Sequence, residues 1–148
     1  MDPVGKSGDP AIFWKAGVDL EIVYSDKNVI ASLVYSDPSS SPWLFLLIYG
    51  PPHVNGRARF WKCLEDLVSA FAGSRLVMRD FSYVDNNLDK RGGRYLGEGS
   101  TKSFSNFVHG IGEIDLGFIG SRFTWSNKHE GLANIKERLD KAVCNQEW

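Results

Sequence analysis

Apolar and polar positions follow two rhythms along this chain. Ala11–Lys15 (AIFWK), Leu20–Tyr24 (LEIVY) and Val29–Tyr35 (VIASLVY) are short β-compatible runs. The separators between them, Gly17-Val18-Asp19 and Ser25–Asn28, are short enough for hairpins, so the pattern predicts three strands. Asp37–Pro42 is a loop by composition. Trp43–Tyr49 (WLFLLIY) is apolar at every position, as in a central strand buried on both faces, and Pro51-Pro52 ends it. The rhythm then changes. Phe60, Leu64, Leu67 and Phe71 recur at spacings of three and four, widened by Trp61 and Val68, which predicts a helix over 55–72. Asn55 stands where an N-cap belongs and Gly73 at the C′ position.

After Gly73-Ser74 the apolar run Leu76-Val77-Met78 reads as a buried strand that leads directly to Asp80. A carboxylate just past such a strand lies where α/β folds place their ligand sites, although an Asp there also caps turns. Residues 83–99 form a polar, Gly-rich loop containing Lys90-Arg91-Gly92-Gly93-Arg94, longer than most unstructured connections. A second helix opens at Ser100 and lines up Phe104, Phe107, Val108 and Ile111. Ile114–Leu116, Arg122–Ser126 and Ile135–Val143 read as later strands, the last two joined as a hairpin through Asn127–Gly131. Strands interleaved with two amphipathic helices give a layered α/β (α+β) domain. Residues 1–10 are expected to be a flexible N-terminus, and 11–148 part of one larger domain, since the pattern begins in a strand and stops without a closing element.

Composition narrows the picture. A chain of 148 residues with 43% hydrophobic and 24% charged residues has the material for one packed core. The net charge of -1 gives no bulk attraction to nucleic acid, while leaving room for a local basic patch. No apolar run is long enough to span a bilayer, and the N-terminus lacks a secretory core. Two cysteines make no disulfide framework, and the three histidines are far apart without Cys partners, so no zinc pattern is present. These features suit an intracellular, soluble chain. Its compartment, nuclear or cytoplasmic, is undetermined by them, and a monomer without a small-molecule cofactor is expected.

Five segments then acquire meaning from their order: Ile48-Tyr49-Gly50-Pro51-Pro52, Val77–Ser82, Asp89–Gly93, Asp115–Phe118 leading to Phe123–Asn127, and Glu137–Ala142. Together they resemble the endonuclease domain of plant non-LTR (LINE-type) retrotransposons, within the endonuclease/exonuclease/phosphatase superfamily. The resemblance implies a four-layer α/β sandwich of the deoxyribonuclease type, with two mostly antiparallel sheets and outer helices. It also implies a metal-dependent phosphodiester hydrolase acting on DNA, with Mg2+ as cofactor. Such an ion is held by carboxylates, polarises the phosphoryl oxygen and supports an attacking water.

By the same resemblance, Asp80 would orient or deprotonate the water, Ser82 would donate to the scissile phosphate, and Tyr49 would donate to developing charge. Asp140 would orient a downstream His, and Thr124, Trp125 and Arg138 would border the substrate. Each residue also has a plainer reading. Tyr49 can be a core-edge aromatic, Asp140 can pair with Arg138 or Lys141, and Trp125 and Phe123 read first as sheet core. Lys90–Arg94 is either a phosphate contact or a solvated basic loop. Asp85, Asp89 and Glu98 carry no spacing that separates them from other loop acids.

Two positions depart from the family pattern. Arg79 stands where the family has Gly, and Ser82 where it has Asn. The first is expected to strain or block the phosphate pocket, or to compete for Asp80. The second loses one donor. The family's metal-binding Glu and early Asn would lie upstream of residue 1, and its Ser-Asp-His motif downstream of Trp148. Little or no turnover is therefore expected. The alternative is a non-catalytic nucleic-acid-binding or interaction module that retains the fold.

Overall fold

A computed structural model describes residues 10–36, 41–51, 54–80, 84, 86–96, 112 and 114–148. A six-stranded sheet forms the frame, built from β1 (Leu20–Ser25), β2 (Val29–Val34), β3 (Trp43–Tyr49), β4 (Arg75–Asp80), β6 (Ile114–Asp115) and β9 (Asp140–Cys144). Its strand order is β1-β2-β3-β4-β9-β6. Only β3 and β4 run parallel, and the single described α-helix, α1 (Arg57–Ser69), makes the crossover between them. A second, small sheet has the order β5-β8-β7, from Lys90–Arg91, Lys136–Glu137 and Trp125–Ser126. The outcome is a mixed α/β domain with two sheets. No helix among the described residues is long and apolar enough to cross a membrane.

The core explains why α1 lies where it does. Val29 and Ala31 of β2, Leu44, Leu46 and Ile48 of β3, Val77 of β4 and Val143 of β9 project from one face of the sheet. Phe60, Trp61, Leu64 and Val68 of α1 cover them, with Leu67 and Phe71 packed at the margin. In β3 every second residue is fully buried, so Trp43, Phe45, Leu47 and Tyr49 project to the opposite face. On that face Met78 is 45% exposed.

The predicted β1–β2 hairpin, β3 and the β7–β8 hairpin are all present, and β4 follows α1 as expected. Several boundaries differ. Ala11–Lys15 forms no strand, and Phe13 stands 91% exposed, since among the described residues no strand pairs with this run. Helix α1 starts at Arg57 after a 3-10 turn, so its N-cap is Gly56 rather than Asn55, with no side-chain cap. It stops at Ser69, with Ala70 as C-cap donating to Asp66 O, so Gly73 lies beyond the helix end. The loop at 83–99 contains a 3-10 turn, Asn87–Asp89, and strand β5. Strand Arg122–Ser126 shortens to β7, and Ile114–Leu116 to β6. Ile135–Val143 breaks at Arg138-Leu139, so that β8 and β9 belong to different sheets. The helix expected from Ser100 and the flexible N-terminus at 1–9 lie outside the described residues.

Candidate active site

Strand register assembles the site. Tyr49, the last residue of β3, is the direct partner of Asp80, the last residue of β4. Asp80 is in turn the direct partner of Asp140, the first residue of β9. Side chains opposite one another on adjacent strands project to the same face with Cβ atoms about 5 Å apart. One rung at the carboxyl end of the parallel pair therefore carries a phenol and two carboxylates, on the face turned away from α1. The rung lines a cleft of about 420 Å³ that also includes Leu47, Met78 and Ala142.

Each member is fixed by neighbours. The Asn28 side-chain amide donates to Tyr49 O at 2.8 Å, and Tyr49 N–H donates to Asn28 O at 2.7 Å. Asn28 is itself set by Asp26, whose carboxylate accepts from Asn28 N–H and Val29 N–H and closes the β1–β2 turn. Gly50 N–H donates to Asp80 O at 2.9 Å. At the third position, Thr124 Oγ1 accepts from Leu139 N–H at 3.1 Å and Asp140 N–H at 3.3 Å. Thr124 thus anchors the start of β9, and Trp125 beside it is 44% exposed.

The electrostatics follow from the register. Burial raises the Asp80 carboxyl above its ordinary value, and the Asp140 charge pushes in the same direction. Arg79 pulls the other way with a smaller effect. Among the described residues neither carboxylate of the rung is joined in an ion pair. Arg138 and Lys141, the expected partners of Asp140, turn to Asp89 instead.

Arg79 does not obstruct the rung. It is the partner of Ile48 in the ladder, so it shares the helix-facing side with the core and is only 4% exposed. Its φ is not positive, so this position requires no glycine. The expected strain and blockage are absent for the same reason, strand alternation.

Arg138 is a hub. Its guanidinium donates to Asp115 Oδ1 at 3.1 Å and to Gly117 O at 3.0 Å, lies 3.9 Å from Asp89 Oδ1, and sits 4.9 Å from the Phe118 ring centre. Asp89 also pairs with Lys141, and its carbonyl accepts from Arg138 N–H. Asp89 was indistinguishable in sequence from other loop acids, yet it is 6% exposed and central to this cluster. Asn28 likewise had no sequence signal for its hold on Tyr49, and Asp115, which opens one of the five segments, had none for its bond to Arg138, since these partners are remote in the chain. Ser82 lies outside the described residues.

Hard oxygen donors, two of them carboxylates side by side, suit a divalent ion that keeps most of its waters. Asp80 and Asp140 would hold it, and neutralising their mutual repulsion would favour its binding. Among the described residues no cluster of three or more His, Cys, Asp or Glu exists.

The fold has a known counterpart. The chain superposes on the endonuclease domain of TRAS1, a telomere-specific non-LTR retrotransposon, with TM-score 0.69 and 11% identity, over 90% of this chain and 58% of that one. The chain thus spans little more than half the length of that domain. At this identity the likeness is one of fold, a nuclease-like fold of the deoxyribonuclease type. TDP2 from Caenorhabditis elegans also matches, at TM-score 0.41 and 13% identity over 86% of this chain and 40% of that one. No protein-family model matches the chain, and no curated protein matches it in sequence.

Proposed function

We propose that this chain carries the phosphodiesterase centre of a metal-dependent, endonuclease-like domain of retrotransposon type, with DNA as substrate and Mg2+ as cofactor. The observation that carries this reading is the Tyr49–Asp80–Asp140 rung at the carboxyl end of β3 and β4, in a cleft of a nuclease-like fold. A bound divalent ion would polarise the phosphoryl group. With the ion held by Asp80 and Asp140, the two carboxylates would orient the attacking water, whose proton the ion makes easier to lose. The Tyr49 phenol donates to charge developing on the phosphate. Thr124 and Arg138 act as positioning residues, and Trp125 offers an exposed aromatic face to the substrate. Turnover is low, because Ser82 offers one donor where the resembled family has an amide, and loss of such a donor costs about 2–4 kcal/mol.

The test is nicking of supercoiled plasmid by the purified 148-residue chain with Mg2+ or Mn2+. Slow, metal-dependent nicking that Asp80→Asn removes is the expected result. Nicking unchanged in Asp80→Asn, or none at any protein concentration, would overturn the catalytic reading.

A further inference from the structure

The Lys90–Arg94 segment is more ordered than a basic loop need be. Strand β5 pairs with β8 so that Lys90 faces Glu137 and Arg91 faces Lys136. The first pair is a half-buried ion pair, with Lys90 Nζ 2.7 Å from Glu137 Oε1. The second pair is its opposite: two exposed cations directly across an antiparallel ladder, with Ser126 of β7 completing the row. Like charges placed so are destabilising by themselves. Among the described residues neither Arg91 nor Lys136 is joined to an acid.

The chain nevertheless builds this pairing with care. Gly92 has φ +81°, and a Cβ on it would lie 2.2 Å from Asn134 O. Gly93 has φ +69°, and a Cβ there would lie 2.8 Å from Ile135 Cδ1. A side chain at Gly92 would meet backbone and push β5 away from β8, whereas at Gly93 the Ile135 side chain would have to turn aside. Gly92 therefore lets Arg91 lie against Lys136, at an electrostatic cost that an anion would remove.

We propose that Arg91 and Lys136 form a phosphate-binding rung for the backbone of nucleic acid. An arginine fork and a lysine ammonium side by side suit a phosphodiester better than an isolated carboxylate. Lys136 and Asp140 are four residues apart, so their Cα atoms cannot be separated by more than about 14 Å. That reach is about four base-pair steps of a duplex at roughly 3.4 Å each, short enough for a single strand to span both places. The choice of nucleic acid over free phosphate rests on the nuclease reading. The rung itself rests on register and on the close approach at Gly92.

The experiment measures binding of a fluorescent duplex DNA to the whole chain by anisotropy, across NaCl concentrations and in EDTA. Wild type is compared with Arg91→Ala/Lys136→Ala and with Lys62→Ala, whose lysine pairs with Asp66 on α1. The double variant should flatten the dependence of log affinity on log salt by about one unit per residue, while Lys62→Ala leaves it unchanged. Its melting temperature should be equal to or above that of wild type, since a repulsive pair has been removed. An unchanged salt slope, or no DNA binding by wild type at low salt, would overturn the proposal. So would inorganic phosphate raising the melting temperature of wild type while the DNA slopes of wild type and double variant coincide. A flattened slope in a protein whose wild type never nicks plasmid would retain the rung and sink the catalytic reading; nicking with an unchanged slope would do the reverse.

Discussion

Asp80 and Asp140 face each other without an intervening cation among the described residues, and this makes their behaviour with pH predictable. The Asp80 carboxyl is raised in the folded chain by burial and by Asp140. The native state therefore holds more protons than the unfolded chain between the two pKa values. Stability falls as pH rises from the ordinary carboxylate range through the folded Asp80 value. Replacing Asp140 by Asn removes the charge contribution and moves Asp80 downward. At pH 7 this variant should be more stable than wild type by a few tenths to about 1 kcal/mol, the size of a cross-strand charge pair. Below both pKa values the difference should vanish. Urea unfolding at pH 3 and pH 7 measures it, and equal stability differences at the two pH values would refute the coupling.

At the scale of elements, the β1–β2 turn governs the position of Tyr49. Asn28 contributes both a side-chain donor and a backbone acceptor to Tyr49. Asn28→Ala removes the side-chain bond and should cost about 1 kcal/mol. It should also broaden or shift the Tyr49 ring resonances, while leaving those of Phe60 in the core unmoved. Leu64→Ala makes the contrasting case. Leu64 is fully buried between α1 and the sheet, so truncation should cost about 2–5 kcal/mol with no local effect on the rung. These elements were legible in sequence because their signals are local. The three-and-four spacing from Phe60 to Val68 and the unbroken apolar run of β3 both reflect one packing surface. Asp80 was legible because it ends a strand. What sequence could not supply was register. Nothing local in Ile135–Val143 marks the break at Arg138-Leu139, since that break is dictated by two sheets claiming its two ends. Burial of Asp89 depends on Arg138 and Lys141, about fifty residues away, and Ala11–Lys15 has strand composition but pairs with no strand among the described residues. The direction of Arg79 follows from alternation, yet only once the face covered by α1 is known.

Across the whole molecule, the cluster around Arg138 is what joins the small sheet to the large one. Arg138 lies between β8 and β9, Asp89 precedes β5, Asp115 belongs to β6, and Lys141 belongs to β9. Arg138 and Asp89 are 8% and 6% exposed, so these are charges taken largely out of water. Breaking such a pair by neutralising one member is costly, because the remaining charge stays buried. Asp89→Asn withdraws the carboxylate shared by Arg138 and Lys141, whereas Asp115 and Gly117 O continue to hold Arg138. The expected loss is about 3 kcal/mol, at the lower end for a buried pair. Its distribution tells how the domain is built. If the cluster fastens the two sheets into one cooperative unit, Asp89→Asn lowers hydrogen-exchange protection in β2, β3 and β4 by the same free energy as in β7 and β8. If the small sheet opens by itself, protection falls in β5, β7 and β8 while β2–β4 keep the wild-type value. The first outcome is expected, because β9 carries Lys141 in the cluster and Val143 in the main core, so the network and the core share a strand. Asp140 begins that same strand. A chain that loses Asp89 should therefore also lose the fixed opposition of Asp80 and Asp140, and with it any binding of Mg2+ that calorimetry detects in wild type.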